Sequence, residues 1–268
     1  MRSPDWESPD GSIRLFHAPC EEVLPTLESE SVDVCVVDPP YLNLKGGYVQ
    51  TDLGGVASRI NDSVSLGDEW GANLDWVPDI QRICRLGAIV CCSHHGLPET
   101  AMAFIDWRRA VLWTWHKRNA PPTGKNVPRF SEEYAWGFAK RPGLDWDAIQ
   151  STLIDIPKLA TGCFVNSERV VDASKKAIHP AQKPIGVMLR LLEVVPASLT
   201  VIDHYMGLGT TGVACARRKI KFIGIERENT PERPYFNIAV DRIKAELARF
   251  PLFEPSPTLK QTNLLGGT

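Results

Sequence analysis

Residues 200–212 read TVIDHYMGLGTTG: an apolar run, a turn carrying Gly207 and Gly209, and a new segment opening at Thr211 with Gly212 in its first turn. Glycine reaches left-handed backbone angles at little cost and lets a neighbouring backbone or ligand come close, so this order reads as strand, tight turn, helix. Elsewhere, short apolar runs alternate with amphipathic stretches, the pattern of an α/β fold with a mainly parallel sheet. Seven strands are predicted, at 12–16, 32–37, 88–92, 110–115, 133–139, 200–203 and 222–225. Helices are predicted near 20–27, 74–85, 98–107, 184–195, 211–218 and 234–250. The expectation is a central seven-stranded sheet with helices on both faces.

Three stretches break the alternation. Residues 43–65 hold the pairs Gly46-Gly47 and Gly54-Gly55 and read as a surface loop. Residues 141–178 have no sustained period and separate two better-defined parts, 1–140 and 179–250. The tail, 251–268, carries three prolines and reads as frayed. With 268 residues, 43% hydrophobic and 23% charged, the chain has the makings of one large domain with an insertion, not of a disordered or fibrous protein. No apolar run approaches the roughly 18–20 residues of a membrane helix, and the start MRSPDWESPDGS has no signal-peptide core. Seven cysteines without a C-x-x-C pair fit buried thiols in a reducing compartment, so a cytoplasmic protein is expected. Cys91-Cys92-Ser93-His94-His95 contains metal-ligand residue types, but neighbours on a strand point to opposite faces, and no metal site is expected.

Glu226 lies 19 positions beyond Gly207, at the end of the next strand, where a carboxylate can accept hydrogen bonds from the ribose hydroxyls of an adenosine. Asp203 chooses among adenosine cofactors. A dinucleotide places its pyrophosphate at this turn, and a carboxylate four residues before the first glycine repels it. An ammonium-bearing cofactor gains a charge-assisted hydrogen bond instead. S-adenosylmethionine has an ammonium, a sulfonium and no phosphate, and is favoured over NAD. An NAD-dependent oxidoreductase would rest on Gly207, Gly209 and Gly212 alone.

A second signal is at 31–41, SVDVCVVDPPY. An apolar strand runs into Asp38-Pro39-Pro40-Tyr41, at the carboxyl edge where open α/β sheets build their active sites. Pro39 has no amide hydrogen, so its carbonyl and the Asp38 carboxylate offer acceptors only. That complements an exocyclic amino group, whose lone pair is delocalised into its ring and is a poor nucleophile. Two acceptors holding both hydrogens favour a pyramidal nitrogen and aim its lone pair at a methyl donor. Tyr41 supplies a flat face on which a base can stack.

With these motifs the sequence resembles the amino-group DNA methyltransferases over roughly residues 12–248. Asp38-Pro39-Pro40-Tyr41 is similar to the family's catalytic motif, in the form more usual for adenine N6 than for cytosine N4. Asp203 to Thr211, with Gly207, Gly209 and Thr210, is similar to its cofactor motif, in which Tyr205 replaces the usual Phe. His204 and Leu208 replace the common Pro and Ser. The catalytic motif precedes the cofactor motif by 165 residues, an order like that of the family's beta group. The resemblance implies a Rossmann-like methyltransferase fold, S-adenosylmethionine as methyl donor and Glu226 as the ribose-binding acid. It also matches His179-Pro180-Ala181-Gln182-Lys183-Pro184 to a motif that opens a helix beside the methionine end of the cofactor, so His179, Gln182 and Lys183 are implied cofactor residues. Pro19 stands where an Asp commonly contacts the cofactor adenine, and affinity should suffer by about 1–3 kcal/mol.

The activity implied is adenine-N6 methylation of double-stranded DNA, with cytosine N4 as the alternative and a catalytically silent DNA-binding subunit behind it. A target amine inside a duplex must be flipped out, and the phosphates must be gripped. Residues 103–190 carry 14 Lys and Arg against 8 Asp and Glu, while the whole chain has 30 against 32, so the middle is basic on an acidic scaffold. Lys117, Arg118, Lys125, Arg129, Arg141, Lys175 and Lys176 are the phosphate candidates. Base readout is expected from 141–178 and from the 43–65 loop. Such a short reader suggests a brief target or a second subunit in a homodimer, and a companion restriction endonuclease is a further expected partner.

Overall fold

The computed structural model describes residues 2–42, 73–117, 131–156, 168–175, 177–179 and 181–249, with the backbone of a two-stranded ribbon, β4 (Tyr48–Val49) and β5 (Ser58–Arg59). The main sheet has nine strands, not the seven expected. They are β1 (Trp6–Glu7), β2 (Ile13–His17), β3 (Val32–Val37), β6 (Cys84–Cys92), β7 (Arg108–His116), β8 (Glu132–Ala139), β9 (Leu153–Asp155), β10 (Thr200–Asp203) and β11 (Lys221–Glu226). Their order is β1-β2-β11-β10-β3-β6-β8-β7-β9. From β2 to β6 neighbours run parallel, β8 runs antiparallel to both β6 and β7, and β9 returns parallel to β7.

The helices are α1 (Cys20–Val23), α2 (Val77–Ile83), α3 (Leu97–Ala103), α4 (Ile185–Leu191), α5 (Thr210–Arg218) and α6 (Tyr235–Arg249). Side chains alternate across a strand, so β3 feeds two cores at once. Val34 and Val36 pack with Val187, Val213 and Ile243 of α4, α5 and α6. Cys35 and Val37 pack with Val23, Ile80 and Phe104 on the other face. Burying both faces explains why β3 reads as an apolar run interrupted only by Asp33, and each buried Val contributes about 1.5–3 kcal/mol.

The two strands the sequence hid are both short. β1 has two residues and pairs antiparallel with β2. β9 lies within the stretch read as irregular; only Ile154 is buried, and Leu153 beside it is 51% exposed, too little pattern to show a period. β6 starts at Cys84, inside the helix expected to reach Arg85. Pairing to β3 and β8 there overrides local helical preference, and the Lys140 and Arg141 amides both donate to the Leu86 carbonyl.

Candidate active site

The carboxyl ends of β3, β10 and β11 share one edge of the sheet, which places Asp38, Asp203 and Glu226 side by side. Because β8 is antiparallel, its first residues, Glu132 and Glu133, reach the same edge, as does Lys117 at the end of β7. Lys140 and Arg141, after β8, therefore lie on the opposite edge with the start of β7, Arg108 and Arg109.

In the turn after β10, Gly207 and Gly209 adopt φ of 53° and 74°, angles open chiefly to glycine, and Gly209 caps α5. Asp203 is 2% exposed; its Oδ1 accepts from the Tyr205 amide at 3.0 Å and its carboxylate bonds the Thr211 hydroxyl. Burial pushes its pKa up to about 7, against the pull of those bonds and helped by the charge of Asp38. Glu226 accepts from the Gly207 amide through Oε2 and the Glu228 amide through Oε1, both at 2.8 Å. Tyr205 turns its hydroxyl to the Cys20 thiol, next to Pro19, and its ring lies 4.9 Å from that of His204. Thr210 Oγ1 accepts from Arg242 of α6, which also holds the Leu208 carbonyl of the glycine turn.

The motif at 179–184 divides its work. His179 Nδ1 accepts from the Ala181 amide at 3.1 Å, its ring lies against Tyr235, and its Nε2 faces Gly207 across the turn. Burial, aided by the Lys183 and Arg233 charges, lowers it to about 4, so the ring is neutral near pH 7. Gln182 is 4% exposed and staples the backbone, accepting from the Val170 amide and donating to the Glu168 carbonyl. Lys183, expected at the cofactor, bonds Asp38 Oδ2 at 2.7 Å and Glu133 Oε2 at 3.0 Å, with its ammonium 4.9 Å above the Tyr41 ring.

That contact makes the surroundings of Asp38 a network. The Tyr41 hydroxyl donates to Glu133 Oε2 at 2.9 Å, and Lys117 Nζ meets Glu133 Oε1 at 2.7 Å. Two carboxylates and two ammoniums form a balanced cluster. Burial raises Asp38, partly offset by Lys183. Burial would raise Glu133 as well, but Lys183 and Lys117 outweigh it and hold it at about 2. The opposing charges likewise carry Lys183 well above its ordinary value despite burial, so it stays an ammonium. Pro39 is buried and Pro40 half-buried between Asp38 and Tyr41.

Chemically, the edge offers acceptors for a base amine beside a carboxylate pair facing a glycine turn. The acidic donor set fits a cationic adenosine cofactor and repels a pyrophosphate. The model for the DNA methylase family of N6/N4 type matches residues 32–233. The chain belongs to this family. Its members methylate amino groups of DNA bases, with S-adenosylmethionine as donor. The chain is 27% identical over 273 residues to the Type II methyltransferase M.Cfr9I of Citrobacter freundii, covering 87% of this chain and 88% of the relative. It is 24% identical over 249 residues to the Type II methyltransferase M2.MboI of Moraxella bovis, covering 84% and 86%. In fold it is similar to the PvuII DNA methyltransferase (cytosine-N4-specific), with a TM-score of 0.66 at 15% identity over 92% of this chain and 95% of that one. The M1.HpyAVI–SAM complex gives 0.57 at 21% identity, over 86% and 99%.

The phosphate candidates scatter. Lys117 is taken up by Glu133. Arg141 sits on the far edge, paired with Glu30 at 2.9 and 2.6 Å. Lys175 is exposed, with φ 65°. Arg118, Lys125, Arg129 and Lys176 lie outside the described residues, as do nearly all of the expected 43–65 loop and the 251–268 tail. Sequence reasoning missed Glu133 and Arg242. The pair Glu132-Glu133 heading an apolar strand was a signal for the first, but only the antiparallel turn of β8 shows which edge it reaches.

Proposed function

We propose that the chain transfers a methyl group from S-adenosylmethionine to N6 of adenine in double-stranded DNA. The observation that supports this most is the placement of Asp38 and Asp203 at the carboxyl ends of adjacent parallel strands, close enough for their charges to act on each other. S-adenosylmethionine supplies an electrophilic methyl on a sulfonium. Asp203 is suited to hold its ammonium and Glu226 its ribose, with His179 beside the turn. Asp38 and the Pro39 carbonyl accept the two amine hydrogens, orient the lone pair and take up the positive charge that develops on nitrogen. Tyr41 offers one ring face to the flipped base, the other being covered by Lys183. Reading of the target falls to 141–178 and the 43–65 segment. The Type II names of the relatives support a modification role beside a companion endonuclease, and a DNA substrate suits work in the cytoplasm; among the described residues no helix is long and apolar enough to cross a membrane.

The test is incubation with labelled S-adenosylmethionine and duplex DNA, followed by mass spectrometry of the nucleosides. N6-methyladenine is expected, and Asp38→Ala should keep the fold and cofactor binding while losing transfer. N4-methylcytosine would reassign the base, since the same acceptors suit either amine. Full transfer by Asp38→Ala would end the mechanism.

A further inference from the structure

The Asp38–Tyr41 turn is held from outside its own strand. One end is the Asp38 carboxylate, bonded to Lys183; the other is the Tyr41 hydroxyl, bonded to Glu133; and Lys183 and Glu133 bond each other. Glu133 comes from β8, more than 90 residues along the chain, and its side chain is only 17% exposed. We propose that Glu133 is a positioning residue for methyl transfer, fixing the Tyr41 ring directly and the Asp38 carboxylate through the Lys183 ammonium. It touches neither cofactor nor base in this role.

The geometry gives the reason. A tyrosine anchored only by its ring edge can swing about χ1 and χ2, whereas a hydroxyl tied to a buried carboxylate fixes both the tilt and the free face. A lysine ammonium has three donors on a flexible stem, and holding it at two carboxylates stops it from drifting off Asp38. Lys117 supplies the second positive charge, so Glu133 can serve Tyr41 and Lys183 without leaving the cluster negative. Asp38 also faces Tyr41, Cys91, Cys92 and Asp203. Burial keeps both thiols protonated, so Lys183, Glu133 and Asp203 are the charges that act on it near neutral pH.

The role rests on the methyl-transfer reading above, and its test separates the two. Glu133→Gln keeps an acceptor for Tyr41 but removes the charge. Its kcat on duplex DNA should fall about 10- to 100-fold, a loss of roughly 1.4–2.8 kcal/mol of transition-state stabilisation, with S-adenosylmethionine Kd within about twofold of wild type. With a like charge removed beside Asp38, the acidic limb of kcat should move to lower pH; in Lys183→Met it should move to higher pH. A purely structural role leaves the limb in place, and Asp203 contributes equally to every arm. Should Glu133→Gln fail to fold, Tyr41→Phe keeps the ring but removes its bond to Glu133, and should lower kcat with little change in Tm. An active wild type alongside wild-type kcat and an unmoved limb in Glu133→Gln, or wild-type kcat in Tyr41→Phe, overturns the positioning role alone. A wild type that methylates no DNA overturns the underlying reading and the role with it.

Discussion

The Gly207 amide donates to Glu226 Oε2 at 2.8 Å, so the carboxylate ending β11 closes the glycine turn that follows β10. The second oxygen accepts from the Glu228 amide at the same distance. Glu226→Ala leaves both amides without an acceptor and should cost about 1–3 kcal/mol of stability, read by urea denaturation. It should also raise the S-adenosylmethionine Kd by about tenfold or more, the loss of a ribose bond and of a formed turn. Glu226→Gln, which keeps one acceptor oxygen, should fall between. Wild-type affinity in the alanine variant would remove Glu226 from the cofactor site.

Asp203 sets a pH dependence with two opposite signs. Burial lifts its pKa from 3.8 to about 7 in the folded protein. Without ligand, the stability it contributes is therefore fully present below pH 3.8 and lost as pH rises through about 7. A cationic ligand needs the ionised carboxylate, so affinity runs the other way. Between pH 7.5 and 5.5 the S-adenosylmethionine Kd should weaken, with a limiting slope of about tenfold per unit. Calorimetry across that range checks it, and Asp203→Asn should bind weakly with a flat profile. A flat profile in the wild type would contradict the assignment.

Gly209 is bound to its identity twice. Its φ is 74°, and a β carbon there would sit 2.9 Å from Ala239 Cβ of α6. Left-handed strain and overpacking act together, so Gly209→Ala should lose about 2–4 kcal/mol. Thermal denaturation without ligand measures it, and a variant as stable as wild type would mean that α6 yields at this contact.

Arg141 gives a prediction of no effect. Its bidentate bond to Glu30 is exposed and lies on the sheet edge away from Asp38. Arg141→Ala should change stability by less than about 1 kcal/mol. DNA affinity, followed by fluorescence anisotropy against salt, should keep its slope, whereas a phosphate contact would lower the slope by about one.

Much of this site was legible because it is built from local runs. Val32–Tyr41 and Thr200–Gly212 each contain a strand, its turn and the chemistry at its tip, and glycine and proline declare the turns. Burial on both faces gave away β3, β10 and β11 as apolar runs. What stayed hidden depends on partners far along the chain. Lys183 reads as a cofactor residue from its motif, yet its ammonium lies on Asp38, a contact 145 residues long. Arg242 is one cation on an amphipathic helix until α6 packs against the glycine turn. Arg141 looks basic and available until the reversal of β8 carries it to the edge away from Asp38, where it pairs with Glu30. Charge composition marks a region, and topology sets the edge that each of its described members occupies.

Gln182 has one more consequence. It ties residues 168 and 170 to the base of α4, whose first amide is capped by Glu168, while Leu153–Asp155 is tied separately to β7. A side chain at 182 that cannot both accept from Val170 and donate to Glu168 should slacken this seam, and with it the neighbouring turn from which Lys183 reaches Asp38.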